Sequence, residues 1–174
     1  MFIKLAGVLL IISGCGIYGM LLSHGINRRI DELNEYKATI ILLEGQISYG
    51  NYNLPQAFAN ISDSCGIAGI KNFYKYVSDR LYENCGRDFC EVWCDGMRKY
   101  SDCMYIQDKD KRLINSIGGI PLYLEGSTQI NYLEEIKIKL ETEINRAKSE
   151  AASKCKIYRC MGFSAGAFLV IVLI

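Results

Sequence analysis

The chain has 174 residues, half of them hydrophobic, with 20 Lys and Arg against 19 Asp and Glu and a single His. A formal net charge of +1 excludes the strongly basic surface of a nucleic-acid-binding protein, and the length suffices for one domain with a sizeable core. All 19 acidic residues and 19 of the 20 basic ones fall between Ile26 and Cys160, so the middle reads as a water-soluble domain of formal net charge zero between two apolar ends.

The first element is an uncharged run from Leu5 to Leu22. Inside it, Gly14-Cys15-Gly16-Ile17-Tyr18-Gly19 matches the G-x-G-x-x-G spacing of a dinucleotide-binding turn. That fingerprint needs a strand before it, a helix after it and an alternating βαβ chain around it. None of these follows, and the apolar run does not stop at the first glycine. A bilayer-spanning helix needs about 20 apolar residues, with a range of roughly 17–25, so a transmembrane helix is the better reading. A cleaved signal peptide is the alternative, with Lys4 as its basic start and Ser23-His24-Gly25 as small residues for a peptidase.

Helical spacing continues past the run through Ile30, Leu33, Ile40, Leu43 and Ile47. Arg28, Arg29, Asp31, Glu32, Glu35 and Lys37 are expected on the wet side, and Gly50 is expected to end the helix. Leu54-Pro55 opens a second, short helix, since proline is tolerated in the first turn. A third runs from about Ile67 to Cys85, with Ile70, Phe73, Tyr74, Val77, Leu81 and Tyr82 inward. A fourth holds Phe89, Val92, Trp93 and Met97 as core. A fifth starts near Asp108, with Leu113, Ile114 and Ile117 inward, before Gly118-Gly119 and Pro121. The last begins near Ser127 or Thr128. Its apolar positions Ile130, Leu133, Ile136, Leu140 and Ile144, with Ala147 or Ala151, repeat every three to four residues. Neither proline nor glycine occurs from Ser127 to Met161, so this helix is expected to run into the uncharged tail Met161–Ile174. The fold class is all-α: a bundle of about six helices whose first and last helices extend into membrane anchors. The boundaries are 1–25 for the N-terminal transmembrane helix, 26–160 for the helical domain and 161–174 for the C-terminal anchor.

Basic residues near span ends stay cytoplasmic. Arg28 and Arg29 follow the first run, and Arg146, Lys148, Lys154, Lys156 and Arg159 precede the second. The domain is therefore expected in the cytoplasm, with Arg28, Arg29, Lys154, Lys156 and Arg159 facing anionic lipid headgroups.

Eight cysteines fit a secreted disulfide framework by count, but a domain of this size needs no staples. Cys90 and Cys94 share a helix face as ordinary buried residues do, and free thiols are expected. Cys85, Cys90, Cys94 and Cys103 lack the tight pairs of strong zinc motifs. The lone His24 sits at the expected membrane boundary, far from any cleft that a Ser-His-Asp or Cys-His arrangement would require. No cofactor, metal or catalytic residue is expected. The rival enzyme reading is a membrane-bound thiol protein using Cys90 and Cys94. Tyrosines are expected to fill the bundle with their polar tips at the surface. Glu44 interrupts an apolar stretch, either as a partly buried carboxylate paired with a nearby Lys, Arg or Tyr, or as a partner contact.

Two stretches carry a resemblance. "LLEGQISYGNYNLPQAF" at 42–58 resembles an L-E-x-E-I-x-Y-G segment followed by P-L-P-E-A. "AKSEAASKCKIYRCMGFSAGAFLVIVLI" at 147–174 resembles a closing K-x-Y-R-x-L-G-x-x-x-G stretch with an aliphatic tail. Glu44, Tyr49, Leu54, Pro55 and Ala57 match, as do Lys156, Tyr158, Arg159 and Gly162. In these, and over essentially its whole length, the chain resembles the stage III sporulation protein AB family. Gln46 stands where that family has Glu. "PLYLEGSTQ" keeps Gln129, offers Glu125 for an Asp, and lacks the family's Gly and Ser. The resemblance implies a component of the mother-cell complex that builds a channel between mother cell and forespore, in the mother-cell membrane around the forespore, and with no catalytic candidate the expected role is a non-enzymatic assembly platform. It implies a fold like that of type II secretion and type IV pilus platform proteins. Its implied partners are the cytoplasmic ATPase, stage III sporulation protein AA, and the other stage III membrane components, with room for a homo-oligomer. The partner surface is expected from Glu44, Tyr49, Leu54, Pro55, Glu125 and Gln129.

Overall fold

The computed structural model describes residues 2–49, 53–83, 87–121 and 125–173, with side chains described except at Tyr49 and at most positions of 2–23 and 154–173. Six helices and no strand occur among the described residues: α1 (Phe2–Tyr49), α2 (Leu54–Ser64), α3 (Ala68–Tyr82), α4 (Phe89–Tyr100), α5 (Asp108–Asn115) and α6 (Gly126–Leu173). Short 3₁₀ turns, Ser101–Cys103 and Ser116–Gly119, follow α4 and α5. The all-α, six-helix expectation holds. Gly50–Tyr52, Cys85, Gly86 and Leu122–Leu124 lie outside the described residues.

The chain separates into two compact units, one formed by Met1–Arg28 with Arg146–Ile174 and the other by Arg29–Asn145. Both terminal segments are helical in backbone from Phe2 and up to Leu173. Among the described residues no helix is long and apolar enough to cross a membrane. The runs where the anchors are expected, Leu5–Leu22 and Met161–Ile174, lie largely outside the described side chains.

The second unit is built around aromatic rings. Trp93 is fully buried and meets Phe73 edge-on at 4.8 Å between centroids, with Phe58 stacked on Phe89 at 5.6 Å beside it. Such pairs add about 0.5–1.5 kcal/mol each beyond their buried area. The indole N–H donates to the Ile114 carbonyl at 3.1 Å, which satisfies its polar handle and ties α4 to α5. Two glycines permit this closeness. A Cβ at Gly118 would lie 2.9 Å from Trp93 Cδ1, and one at Gly96 would lie 3.0 Å from Phe73 Cε2.

The two long helices contribute the rest of the core at helical spacing. From α1 come Leu33, Tyr36, Ile40 and Leu43, and from α6 Leu133, Ile136, Leu140 and Ile144. The helix starts are capped locally. Asn53 Oδ1 accepts from Gln56 N at 3.1 Å, ahead of Pro55 in α2. Asp110 Oδ2 accepts from Gln107 N at 2.9 Å at the start of α5. Each cap of this kind contributes about 1 kcal/mol.

Four expectations need correction. Arg29 and Glu32 are buried rather than on the wet side, because they continue the apolar stripe of α1 one turn earlier than Leu33 and Tyr36. Tyr82 is 52% exposed rather than inward. Tyr36 and Tyr74 are buried to the hydroxyl; Tyr74 meets Thr39 Oγ1 at 2.7 Å, and Tyr36 donates to Met104 Sδ at 3.2 Å. Cys90 is exposed and Cys94 half-buried, because the core face of α4 is Phe89, Val92, Trp93, Gly96 and Met97.

Candidate partner-binding surface

The expected surface residues come from the end of the second unit where α1 finishes and α6 begins. A Cβ at Gly126, the first residue of α6, would lie 3.5 Å from Ile47 Cγ2 of α1. The start of α2 is held against the end of α3 by two bonds. Ser78 Oγ donates to the Pro55 carbonyl at 2.8 Å, and the Tyr82 hydroxyl donates to Gln56 Oε1 at 2.7 Å. Leu54, Pro55 and Gln129 are half-buried, and Glu125 is exposed. Tyr49 ends α1, and its side chain lies outside the described ones. Tyr82 and Gln56 belong to the same end of α2 and α3 and were not expected there. The signal for Tyr82 is its position at the last residue of α3, where the apolar stripe has run past the core.

Glu44 is the partly buried, paired carboxylate of the first alternative. Lys137 Nζ reaches both of its oxygens, at 2.9 and 3.2 Å, and the Glu44 side chain is 13% exposed. Lys137 also bridges to Glu134. These two carboxylates, Glu134 foremost, raise the Lys137 ammonium above its usual range. Lys37 pairs with Glu141 at 3.0 Å, so two ion pairs tie α1 to α6 on this side.

The basic residues divide between the two units, Arg29 in the second and Arg28, Arg146, Lys148, Lys154, Lys156 and Arg159 in the first. Arg28 is exposed, and its Nε donates to His24 Nε2 at 3.2 Å. Arg29 does not face outward: its side chain is 6% exposed and its guanidinium grips Asp110 with bonds of 2.7 and 2.9 Å. Glu143 stands 3.8 Å from the same guanidinium and 2.7 Å from Lys109. Arg29 is a buried strut, because a charge on the core stripe is stable only when paired. Lys154, Lys156 and Arg159 lie on α6, with side chains outside the described ones. Arg146 and Lys148 are exposed, and Arg146 pairs with Glu150 at 3.2 Å.

Cys65, Cys90, Cys94, Cys103 and Cys160 are free. Burial pushes the Cys65 thiol up to about 12. Burial and the neighbouring Cys90 also raise the Cys94 thiol. Among the described residues no group of three or more His, Cys, Asp and Glu is placed to hold a metal ion.

The family model described as stage III sporulation protein AB matches residues 4–174. The chain belongs to the stage III sporulation protein AB family. It is therefore a sporulation protein. A solved structure described as stage III sporulation protein AB is similar over 72% of this chain and 97% of its own, at 17% identity and a TM-score of 0.66. At that identity the likeness speaks for the helical fold alone. A search of the curated proteins finds no match. Of the segments that carry the resemblance, Glu44 pairs with Lys137 of α6 and the Pro55 carbonyl accepts from Ser78 of α3.

Proposed function

We propose that this family member is a membrane-anchored, non-catalytic platform of a channel between mother cell and forespore. In this reading Leu5–Leu22 and Met161–Ile174 anchor the chain in the mother-cell membrane around the forespore. The domain Ile26–Cys160 lies in the cytoplasm. It presents the surface of Glu44, Tyr49, Leu54, Pro55, Glu125 and Gln129, joined by Tyr82, to the ATPase stage III sporulation protein AA and to other stage III membrane components. Arg28, Lys154, Lys156 and Arg159 face the lipid headgroups.

The observation that carries the reading is the pairing of long helices. α1 and α6 each extend 48 residues, far beyond the three to four turns of an average globular helix. Each joins the domain to an uncharged run at one chain end. The test is site-specific photocrosslinking from positions 82, 125 and 129 in sporulating cells. Crosslinks to the ATPase or to another stage III component support the platform role. Normal abundance with crosslinks to none of them counts against it.

A further inference from the structure

α1 carries two apolar rows. The inner one, Leu33, Tyr36, Ile40 and Leu43, belongs to the core. The outer one, Ala38, Ile41, Leu42 and Gly45, has the i, i+3, i+4, i+7 spacing of one helix face and no charge. Ile41 is 50% exposed and Leu42 41%, and a Cβ at Gly45 would meet nothing within 4 Å. On α6 the large aliphatic left outside is Ile138, 57% exposed.

Ion pairs place these three aliphatics on one seam. Arg29 stands by Glu143, Lys37 by Glu141 and Glu44 by Lys137, so α1 and α6 run antiparallel in this unit. Ile41 shares a face of α1 with Lys37 and Glu44, four residues after the one and three before the other. Ile138 shares a face of α6 with Glu134 and Glu141 by the same spacing. Lys37 pairs with Glu141 at 3.0 Å, and Lys137 holds both Glu44 and Glu134. The strip therefore lies along the α1–α6 seam inside a charged rim. Single exposed aliphatics are ordinary on any surface, whereas grouped ones with a polar rim mark an interaction face.

The rim indicates which partner fits. Lys37, Lys137 and Lys139 are each paired within the molecule, to Glu141, to Glu44 with Glu134, and to Glu135. A strongly acidic or basic partner finds little unmatched charge here. A two-fold contact sets the same charges on both sides, so it suits a face whose charges are already matched. Its geometry is also available. A half-turn about an axis along the helices sets α1 of each copy against α6 of the other. All four helices are then antiparallel to their neighbours, as in an up-down bundle. Such an axis leaves the ends of both chains on one side, as a single membrane requires; on this point the inference rests on the reading given above.

We propose that the strip of Ile41, Leu42 and Ile138 binds a second copy of this chain, with Ile41 of each copy against Ile138 of the other. Three aliphatics are few for a standard interface of about 800 Å² per partner, so the pairing is expected to depend on concentration.

The test is sedimentation equilibrium of the full chain in detergent micelles. The wild type is expected to pass from monomer to dimer as concentration rises. Ile41→Glu and Ile138→Lys are each expected to weaken the dimer at least about tenfold while keeping their helicity, because both positions are exposed. Leu42→Gln, which adds no charge, is expected to weaken it several-fold. An equal mixture of the Ile41→Glu and Ile138→Lys chains should recover association, since it sets the new carboxylate against the new ammonium. Tyr105→Gln, at an exposed position on the turn after α4, should leave the dimer intact. A wild type that stays monomeric overturns the proposal, and if Ile41→Glu then still impairs sporulation the strip belongs to another protein. A dimer that survives in all three strip variants, or a mixture that recovers nothing, overturns it as well. None of these results bears on crosslinking to the ATPase, so the platform reading stands or falls separately.

Discussion

Arg29 on α1 and Asp110 on α5 meet through two hydrogen bonds of 2.7 and 2.9 Å, with 6% and 0% of their side chains exposed. The pair joins residues 81 positions apart, and Asp110 at the same time caps α5 through Gln107 N. Removing one member strands a buried charge, which costs about 3–5 kcal/mol. Arg29→Met and Asp110→Leu should therefore each lower the urea midpoint of the full chain strongly. The double variant should recover part of the loss. A double variant as unstable as the sum of the singles would show that the two residues act separately.

Glu44 and Lys137 form a pair with only 13% and 20% of their side chains exposed, but Lys137 keeps Glu134 as a second partner when Glu44 is neutralised. Glu44→Gln should hardly move the melting temperature. Glu44→Lys places two cations together, and it should impair sporulation out of proportion to a stability loss below about 2 kcal/mol. Gln129→Ala should do the same. If either variant unfolds the domain, the residue is structural. Normal sporulation at normal abundance removes it from the partner surface.

The glycines separate close approach from mere permissiveness. Gly118→Ala drives a methyl into the Trp93 ring and should destabilise by about 1–3 kcal/mol, the usual cost of overpacking. Gly45, inside α1 with nothing within 4 Å of a Cβ, should behave oppositely, and Gly45→Ala should stabilise by about 0.5–1 kcal/mol. Thermal melts of the two variants decide the matter. Equal effects would mean that α1 and the Trp93 site differ from the packing described.

Alkaline pH should unfold the protein through its buried acids. Burial, helped by Glu35, pushes the Cys65 thiol from an ordinary 9.0 up to about 12. Burial likewise raises the Tyr36 and Tyr74 hydroxyls. The stabilisation from Cys65 is full below about pH 9 and is lost between about 9 and about 12, where the unfolded chain gives up its proton and the folded chain keeps it. Melting temperature should fall across that window, and less steeply in Cys65→Ala. Native maleimide labelling near neutral pH should modify the exposed Cys90 and Cys103 well before Cys65. Early modification of Cys65, or an unchanged slope in Cys65→Ala, would contradict this burial.

Periodicity shows the number and order of the helices, with α3 ending at Tyr82 rather than near Cys85, because apolar positions at three- and four-residue spacing are what a bundle requires. The core positions Leu33, Ile40, Leu133, Leu140 and Ile144 are legible for that reason. Arg29 and Glu32 are not, since a charged side chain belongs in solvent unless it has a partner the sequence does not reveal. Their position on the stripe, one turn before Leu33 and Tyr36, was the available signal. No spacing rule pairs Arg29 with Asp110 or Tyr74 with Thr39, because those choices depend on how distant helices cross. Tyr82 shows the converse: a periodic position near a helix end leaves the core when the neighbouring elements stop short. The Glu44 pairing was foreseeable in kind, though its partner Lys137 was not.

The side chains of α1 reach partners far along the chain. Glu32 accepts from Tyr105 N, 73 residues on, Tyr36 meets Met104, 68 residues on, and Lys137 grips Glu44 across 93 residues. A ribosome adds about 5–20 residues per second, so Glu44 leaves it roughly 5–20 seconds before Lys137 is made. During that interval the stripe of Leu33, Tyr36, Ile40 and Leu43 has only its α3 side to lean on, where Tyr36 meets Phe73 and Tyr74, and the α6 side is still missing. The first helix to be synthesised is thus secured in two stages, by α3 early and by α6 late, and until the second the nascent chain depends on its surroundings, whether chaperone or lipid, to keep the open side from wrong partners.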